Sequence, residues 1–399
     1  AGDDEPLLVM TSMGGQLLEA FETTVAQYGE QSGYETEVET VGDISTLLIT
    51  RAEANNLPDA TQLAKPGQMQ DFVDQGEVVA LDEEIVADHP QAFVDLGSVD
   101  GTLYGVFVDA SLKSLVWYNP KTFEAAGYSI PETWDELMEL TQEMAANGDT
   151  PWTIGMESGS ASGWPGTDWL EEIIVRLHGP EFYDQWVNHE IPWTDSRIRE
   201  AWEMFGDIFK NEDYVFGGSQ TIVSLAWEDA PNYLFTDPPD AYMYKQGTFV
   251  QSFIQENNPD LVPGEDYSVF VLPPINEEEF GNPLVGAGDI VFGFSDRPAT
   301  KGLLEYMASP DAQQLFAETG QGLAVNRNVP LDAYPDPINA RAAEILREVE
   351  TFRFDGSDLM PAAVGSGTFW TGMMDYFSGS DLDSVLQSIE RSAERAYEE

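Results

Sequence analysis

The stretch WYNPKTFEAAGYSIPETWDEL, residues 117–137, decides how the rest of this chain is interpreted. An apolar strand ends at Tyr118-Asn119-Pro120, because proline lacks the amide hydrogen that a central strand needs. The next residues, 121–126, favour a short helix, which Gly127 ends. The quoted stretch therefore predicts a strand that ends abruptly and a helix directly after it.

The second half of the same stretch predicts another helix. Pro131 sets up its entry, and Thr133 is the expected N-cap, because a threonine hydroxyl can accept a hydrogen bond from the first free amides of a helix. Apolar residues then recur at helical spacing. The packing face comprises Trp134, Leu137, Met138 and Met144.

The first 63 residues alternate between strand and helix patterns. Short apolar runs indicate strands, and apolar residues such as Leu17, Phe21 and Val25 recur at helical spacing before Gly29 and Gly33. This alternation is typical of an α/β architecture with a largely parallel sheet. The predicted elements are a buried strand over 6–13, a helix from 16 to 33, a strand over 34–41, a helix over 44–56 and a strand near 57–63.

The segment VFVDASLKSLVWYN, residues 106–119, is long for a single strand. Asp109, Ser111 and Lys113 interrupt its apolar character, which indicates a chain that passes from one folded body to another. A length of 399 residues fits two domains of ordinary size, and no low-complexity linker separates them. We therefore expect two bodies that several chain crossings interweave.

The charge of the chain is strongly one-sided. It has 17 Lys+Arg against 72 Asp+Glu, a formal net charge of -55. Such a surface repels phosphate backbones, so no nucleic-acid partner is expected. The acids are spread along the chain, which is typical of a halophilic acidic surface, since salt shortens the range of self-repulsion.

The sequence offers little support for catalysis. It has no cysteine, P-loop, G-x-S-x-G or G-x-G-x-x-G motif, and His89, His178 and His189 match no zinc spacing. With 72 acids, neighbouring carboxylate pairs arise by chance and carry little weight for a glycosidase. We predict a protein that is not an enzyme and needs no metal or cofactor.

The expected location is outside the cytoplasm. No apolar run reaches the roughly 18 residues that a membrane helix needs. The first residue is Ala1 in a polar lead, which removal of an export signal or trimming of a tag would explain. We expect a mature extracellular, periplasmic or lipid-anchored cell-surface protein.

Four stretches in chain order resemble the family 1 solute-binding proteins of carbohydrate ABC importers, and most closely their α-glucoside-binding and maltose-binding members. The stretch at 100–137 contains the G-x-x-Y-G turn, the Tyr-Asn-Pro strand end and the helix entry of that family. LPDATQL at 57–63 is similar to its Pro-Asp strand start. The return strand and Asn-containing loop match at 283–329, and the Met-Pro…Phe-Trp element matches at 358–379.

This resemblance implies a two-lobed periplasmic-binding-protein-like fold of type II. Each lobe would be a mostly parallel α/β sheet flanked by helices, and the lobes would close on a ligand like a hinged clam. The N-terminal lobe would comprise 1–109 plus 288–329, and the C-terminal lobe 113–283 plus 333–399. Hinge crossings are expected near 109–113, 284–289 and 328–333.

The resemblance also implies substrate-binding positions in both lobes. They are carried over residue by residue onto matching loops, and alternatives stay open: Asp43 and Ser45 could equally cap a helix near Thr46. In the first lobe they are Gly14, Gly15, Gln16, Asp43, Ser45, Lys65, Asp109, Gly288, Asp289 and, near the third crossing, Arg327. In the second lobe they are Trp164, Thr167, Asp168, Gln246, Gly247, Thr248 and Trp370.

Departures from the maltose-binding pattern bear on the ligand. Leu63 and Thr248 stand where such members place tryptophans, and Gly14-Gly15 replaces an acidic pair. Loss of those rings argues against long maltodextrins and favours an α-glucoside or small oligosaccharide. A glucosylated polyol or an anionic sugar derivative remains an alternative, because Lys65 and free amides after Gly15 could meet an anion.

The implied role is capture of the sugar and its delivery to membrane permease subunits, without chemistry. A tryptophan such as Trp164 or Trp370 can cover the apolar face of a pyranose, and carboxylates bind the hydroxyls at its rim. We expect a monomer. A secreted glycoside hydrolase is the alternative from another functional class.

Overall fold

The protein is described by a computed structural model that covers residues 5–398. The polar lead discussed above and the last residue, Glu399, lie outside the described residues. In the described range the strands are β1 (Leu7–Thr11), β2 (Thr36–Thr40), β3 (Ala60–Leu63), β4 (Ser98–Val99), β5 (Thr102–Leu103), β6 (Gly105–Leu112), β7 (Leu115–Tyr118), β8 (Met243–Lys245), β9 (Ser268–Val271), β10 (Leu284–Gly293) and β11 (Phe352–Phe354).

Helices outnumber strands over the same range, and many begin at a polar cap or at proline. They are α1 (Gly15–Ser32), α2 (Ile44–Glu53), α3 (Pro66–Asp74), α4 (Gln91–Leu96), α5 (Pro120–Ala126), α6 (Trp134–Asn147), α7 (Trp164–His178), α8 (Pro180–Val187), α9 (Ser196–Phe209), α10 (Ser219–Ile222), α11 (Val250–Asn257), α12 (Glu277–Phe280), α13 (Pro298–Ala308), α14 (Pro310–Glu318), α15 (Pro337–Glu348), α16 (Gly356–Leu359), α17 (Trp370–Phe377) and α18 (Leu382–Ala396).

The opening stretch folds as its residues predict. α5 ends at Gly127, whose φ of 79° is a left-handed conformation that glycine adopts without strain. Thr133 caps α6 and accepts a hydrogen bond from the amide of Glu136. Trp134, Leu137 and Met144 are buried and Met138 is half-buried, so the predicted packing face is the observed one.

The chain divides into two compact units, which we call the first and the second unit. The first comprises Ala1–Ser111 and Ala287–Val349, and the second Leu112–Gly286 and Glu350–Glu399. The chain passes from one unit to the other at three points. The first two points fall inside the predicted crossing ranges, whereas the third lies beyond the predicted 328–333.

The third transition comes late because α15 belongs to the first unit. Asn339 on this helix donates a hydrogen bond to Gly320 O at 3.0 Å, and the Tyr334 hydroxyl just before it accepts one from the Ala324 amide at 2.9 Å. Ala342, Ala343 and Leu346 are buried. The second unit therefore starts again at Glu350 rather than at the predicted residue 333.

The sheet of the first unit is mixed, with the predicted parallel pairing around β1. β1 lies between β2 and β3 and runs parallel to both. β10 pairs antiparallel with β3, and β6 pairs with β10. One core cluster of this unit joins the sheet to α1, α13 and α14 through Phe21, Val25, Leu303 and Phe316.

The second unit differs from the expectation of a mostly parallel sheet. Its central strand β7 pairs antiparallel with both β8 and β9. The strand–helix alternation that predicted parallel pairing covers only the first 63 residues, whereas long helical stretches separate β7, β8 and β9. Strand direction there depends on tertiary packing. The core of this unit is rich in buried tryptophan: Trp152, Trp169, Trp186, Trp193 and Trp202.

Among residues 5–398, no helix combines the length and apolar character needed to cross a membrane.

Candidate functional site

In the first unit, predicted binding positions gather at one edge of the sheet. The parallel strands β1, β2 and β3 all end at this edge, and the loops that follow carry Gly14, Asp43 and Lys65. Because β10 runs antiparallel to β3 with Ile290 opposite Leu63, Asp289 lies just beyond the end of β3. Ligands of α/β proteins commonly bind outside such carboxyl ends.

Gln62 connects several groups at this edge. Its buried side chain donates to Asp289 Oδ1 through Nε2 and accepts from the Thr11 hydroxyl at 2.7 Å through Oε1. The amide of Ser12 donates to the same Oε1 atom at 3.1 Å. Gln62 therefore orients Asp289 and the loop after β1 together, although it was not among the predicted binding residues.

Asp109 and Asp289 form a pair of neighbouring carboxyl groups. Burial raises the pKa of Asp109 well above its ordinary value, and the nearby Asp289 carboxyl raises it further through charge repulsion and a hydrogen bond. Burial also raises the pKa of Asp289. Gly288 has no room for a side chain, since a Cβ atom there would lie 2.6 Å from Asp109 O. Burial of the pair therefore favours the protonated form of these carboxyl groups over a wider pH range than for a surface acid.

The other first-unit positions are more exposed. Gly14 is the N-cap of α1, and Gly15, Gln16, Lys65 and Arg327 are exposed. Asp43 caps α2 and accepts from the Thr46 amide at 3.3 Å, which is the capping role that the sequence left open. Ser45 is half-buried in the same helix.

In the second unit, four half-buried rings form what we call the aromatic platform: Trp164, Trp227, Phe249 and Phe253. Trp164 and Trp227 pack edge to face with ring centroids 5.0 Å apart. Phe249 contacts both tryptophans, and Phe253 contacts Trp227 at 4.9 Å. Half-buried rings in loops and at helix starts leave part of their faces available, unlike the buried tryptophans of the core.

Trp370 is tied to the same region through Gly163. Gly163 caps α7 with a φ of 108°, and a Cβ atom there would lie 2.3 Å from Trp370 O. The start of α7, which carries Trp164, therefore packs directly on the backbone at Trp370. The Trp370 ring is half-buried, and its Nε1 atom is buried with no acceptor within the described chain.

The remaining second-unit positions are buried. Thr167 donates to Trp164 O at 3.0 Å, which fixes the first turn of α7. Gln246 accepts from the Gly247 amide through its own Oε1 atom at 2.9 Å. Thr248 has a buried hydroxyl with no hydrogen-bond partner in residues 5–398, so this oxygen is free to bind a ligand group.

Buried charged side chains adjoin Trp164. We call them the charge cluster: Lys113, Asp168, Glu171, Glu172, Arg176, Lys245 and Asp355. Lys113 Nζ pairs with Asp168 at 3.1 Å and with Asp355, and it lies 5.5 Å from the centre of the Trp164 ring. Burial lowers the pKa of Lys113, but Asp168 and Asp355 raise it more, so the pKa lies well above its ordinary value. Lys113 is therefore a permanent buried cation.

The charge cluster contains two more acids, each with its own partners. Glu171 accepts hydrogen bonds from the amides of Gly356 and Ser357, and Glu172 pairs with Arg176 and lies 3.5 Å from Lys245. Burial raises the pKa of Asp168 to about 7, with Lys113 opposing the rise. Burial also raises and Lys113 lowers the pKa of Asp355, which ends below its ordinary value. The two partners of Lys113 thus differ in their affinity for a proton.

Three of these acids, Asp168, Glu171 and Asp355, have oxygens close enough together to hold a metal ion. The Lys113 ammonium already lies against two of them, so it supplies the positive charge that a metal would bring. His178 and His189 contact separate partners, Arg197 O and Glu390. The arrangement is that of an ion-paired structural cluster.

Several residues of this region were not among the predicted site residues, and Trp227, Phe249 and Lys113 show what signals the sequence contained. Trp227 lies in the acidic, proline-containing segment LAWEDAP, and that context resembles the loop around Trp164. Phe249 directly follows the predicted Thr248. Lys113 was noted only as a polar interruption of a strand, and a lysine inside an apolar run is itself a signal of a buried ion pair.

Comparison with known proteins now identifies the family. The profile described as bacterial extracellular solute-binding protein matches residues 14–314, most of the chain. The chain belongs to this family.

Two relatives are similar to this solute-binding protein along most of their length. The Synechocystis protein named osmoprotective compounds-binding protein GgtB is 42% identical over 395 residues, which cover 98% of this chain and 93% of that protein. The α-glucosides-binding periplasmic protein AglE of Rhizobium meliloti is 36% identical over 384 residues, which cover 93% of this chain and 83% of that protein.

Solved structures confirm the fold of this solute-binding protein. The bacterial solute receptor AcbH matches with a TM-score of 0.86 at 18% identity and covers 99% of this chain and 100% of that one. The sugar-binding protein MalE from Xanthomonas citri matches with a TM-score of 0.74 at 18% identity and covers 98% of this chain and 97% of that one. The predicted type II periplasmic-binding-protein fold is confirmed.

Family membership also settles the class of activity. The chain is an extracellular solute-binding protein of an ABC importer and not an enzyme, as predicted. The alternative of a secreted glycoside hydrolase is therefore wrong.

Proposed function

We propose that this solute-binding protein captures a small neutral α-glucoside, of about disaccharide size, for delivery to the permease. The observation that carries the proposal is the aromatic platform, with Trp370 and the buried Asp168 beside Trp164 in the same unit. The names of the two relatives, which refer to osmoprotective compounds and to α-glucosides, support the same ligand class.

The second-unit residues suit a sugar ring. A pyranose has apolar C–H patches on its faces, which pack on indole rings such as Trp164 and Trp370. Its hydroxyls are hydrogen-bond donors and acceptors, which the free Thr248 hydroxyl and the Asp168 carboxylate can satisfy. We infer that Gln246, Gly247 and Thr167 shape this pocket wall.

The first-unit residues are proposed to bind hydroxyls. Asp289, held by Gln62, and Asp109 offer carboxyl oxygens at the edge of the sheet, and Lys65 offers an ammonium. Backbone amides near Gly14 and Gly15 at the start of α1 are additional donors. Asp43, Ser45, Gln16, Gly288 and Arg327 stay predictions of the same kind.

A glucosylated polyol is the second candidate ligand. The relative with 42% identity carries a name that refers to osmoprotective compounds. The absence of a ring at Leu63 and Thr248 also removes stacking surfaces for additional sugar units and so favours a ligand with one sugar ring and a small polar group. An anionic sugar derivative would instead rely on Lys65 and the amides of α1.

The partners and location follow the family in outline. A carbohydrate ligand and the permease of an ABC importer are the partners, and the protein acts outside the cytoplasm. We propose further that it acts as a monomer, binds no nucleic acid, and is either periplasmic or held at the cell surface by a lipid. The net charge of -55 supports function in a salty medium.

A thermal-shift screen followed by calorimetry tests the ligand. The panel contains sucrose, trehalose and maltose as α-glucosides, glucosylglycerol as a polyol glucoside, cellobiose as a β-linked control and glucuronate as an anion. Each is measured in high and in low salt, and the recovered sugar is analysed for breakdown.

We expect stabilisation by an α-glucoside or by glucosylglycerol, with the sugar recovered unchanged. Preference for glucuronate, weakened by salt, would replace the neutral ligand with an anionic one. No response to any sugar of the panel would overturn the proposal. Trp164→Ala is the matched site variant, and Trp186→Phe, in the buried core, controls for general loss of an indole.

A further inference from the structure

Lys113 lies at the place where the chain first enters the second unit. Strand β6 ends at Leu112, which is the first residue of that unit, and Lys113 follows it. The Lys113 amide donates to Val285 O at 2.9 Å, and Val285 precedes the second transition at Gly286. The first two connecting segments are therefore hydrogen-bonded to each other at Lys113.

The third connecting segment contacts Lys113 through the side chain of Asp355. Asp355 directly follows β11, the first element after the return to the second unit at Glu350. Its amide donates to Gly286 O at 2.8 Å, and its carboxylate pairs with Lys113 Nζ. Within the second unit, all three connecting segments are therefore joined by hydrogen bonds and an ion pair at or next to Lys113.

The same ammonium group also faces the proposed ligand residues. It pairs with Asp168 at 3.1 Å and lies 5.5 Å from the Trp164 ring centre, within reach of a cation–π contact. Trp164 and Asp168 belong to the first turns of α7, one turn apart. Lys113 thus connects the start of α7 to every segment by which the chain enters or leaves the second unit.

We propose that Lys113 is a positioning residue that couples ligand contact at Trp164 and Asp168 to the three connecting segments. This inference rests on the proposed function, because it takes those two side chains as ligand contacts. A ligand that changes the position of the α7 start changes the position of the lysine, and the lysine transmits the change to Asp355. Buried ion pairs suit this role because they are strongly oriented and specify one arrangement.

The charge cluster offers a matched control in Lys245. This lysine is also buried, lies 3.5 Å from Glu172, and contacts neither Asp355 nor Trp164 among the interactions described. Loss of its charge changes the electrostatic environment of the same cluster, Asp168 included, but removes no ion pair of Lys113 or Asp355. Lys245→Met therefore reports the effect of general damage to the cluster.

The test compares wild type, K113M/D355N and K245M, with sucrose and glucosylglycerol as probes. The double variant removes one positive and one negative charge together, and the amide introduced by D355N keeps the acceptor oxygen that caps α16, which limits the damage to the fold. Calorimetry gives the affinity, and amide hydrogen exchange gives the ligand-induced protection of peptides spanning 111–115, 283–287, 350–356 and the start of α7.

We expect the double variant to bind about tenfold or more weakly, a typical size for a coupling between sites. Ligand-induced protection should persist at the start of α7 and be lost over 111–115 and 350–356. K245M should keep both the affinity and the pattern of protection. A purely structural role for Lys113 would alter protection equally in the free and bound protein and leave the ligand-induced difference intact.

Several results would overturn the inference. Affinity and ligand-induced protection like wild type in K113M/D355N would do so, and so would equal losses in K245M. Should the double variant not fold, D355N alone breaks the ion pair to the third segment. Ligand-induced protection over 350–356 should then fall while that over 111–115 remains, and unchanged protection contradicts the coupling. If wild type binds neither probe, the comparison is made with the best ligand of the panel, and failure to bind any sugar of the panel overturns the proposed function, on which this inference rests.

Discussion

The two units bury acidic groups in opposite ways. In the first unit, Asp109 and Asp289 are buried neighbours, the neutral side chain of Gln62 donates to Asp289, and burial raises the pKa of both carboxyl groups. In the second unit, Lys113 lies between Asp168 and Asp355 and carries a permanent charge. The first arrangement favours protonated carboxyl groups, and the second contains an ion pair.

The difference shows that similar residue types at chain crossings respond to different variables. The stability contributed by a buried carboxyl pair with raised pKa values responds to pH, whereas that of a buried ion pair responds to the removal of either partner. Both arrangements adjoin residues proposed to bind the ligand. The expected consequences can be separated by the following experiments.

Breaking the ion pair should give the largest effect. Lys113→Met leaves Asp168 and Asp355 buried without their cation, and loss of one partner of a buried pair costs about 3–5 kcal/mol of unfolding free energy. Urea unfolding at neutral pH measures this loss. Lys121→Met removes an exposed lysine paired with Asp266 and should leave the midpoint unchanged. A loss equally small in both variants contradicts the comparison.

The pH dependence of stability should differ in sign between Asp109 in the first unit and Asp355 in the second. Asp109 has a raised pKa, so the unfolded chain releases its proton at lower pH than the folded protein does. Stability contributed by Asp109 therefore falls as pH rises above about 4, by at most about 1.4 kcal/mol per pH unit, until the folded pKa is reached. Asp109→Asn should lack this decline.

Asp355 provides the opposite case. Its pKa is lowered in the folded protein, so its contribution is present above about pH 4 and is lost as pH falls through the folded pKa. Urea midpoints of wild type, Asp109→Asn and Asp355→Asn over a series of pH values test both signs. Parallel curves for the two variants would show that Asp109 and Asp355 do not differ in this respect.

Ligand affinity extends the comparison from charge to stacking. Trp370→Ala removes a proposed sugar platform from the second unit and should weaken binding at least about tenfold, which is about 1.4 kcal/mol. Trp370→Phe keeps a flat ring and should retain most of the affinity. Asp109→Ala, in the first unit, should weaken binding to a similar degree. Calorimetry with the best ligand of the panel measures all three, and unaltered affinity in Trp370→Ala contradicts its placement.

The smallest effect concerns Asp43, for which capping and ligand binding compete as roles. Asp43→Ala removes the N-cap of α2 and should cost about 1 kcal/mol of stability. Asp43→Asn keeps an acceptor for the Thr46 amide and should restore that stability. If the asparagine variant is stable yet binds the ligand poorly, the carboxylate contacts the ligand in addition to capping the helix.

Local chemistry explains which parts of the fold could be predicted. The Thr133 cap, the ends of α1 at Gly33 and of α5 at Gly127, and the strand β1 depend on neighbours within a few residues. Strand direction in the second unit depends on partners far along the chain. β7 pairs with strands that begin at Met243 and Ser268, and the residues next to β7 do not indicate the direction of those strands.

The same distinction applies to the candidate site. Trp164 and Asp109 were predicted as binding residues because the stretches around them resemble the family of solute-binding proteins. The platform needed Trp227 and Phe249 to meet Trp164, which only the folded second unit shows. The partners of Lys113, Asp168 and Asp355, lie 55 and 242 residues away along the chain. The sequence therefore shows a polar residue inside an apolar strand but not the ion pairs that this residue forms.

Gly163 sets a limit on how this protein can diverge. A side chain at this position would strike the carbonyl of Trp370, and its backbone angle also disfavours any other residue. Descendants with new ligand preferences must therefore exchange the side chains at 164, 227, 249 or 370 while this junction stays fixed. An evolution experiment that selects for a new nutrient should recover mutations around Gly163 but not at it.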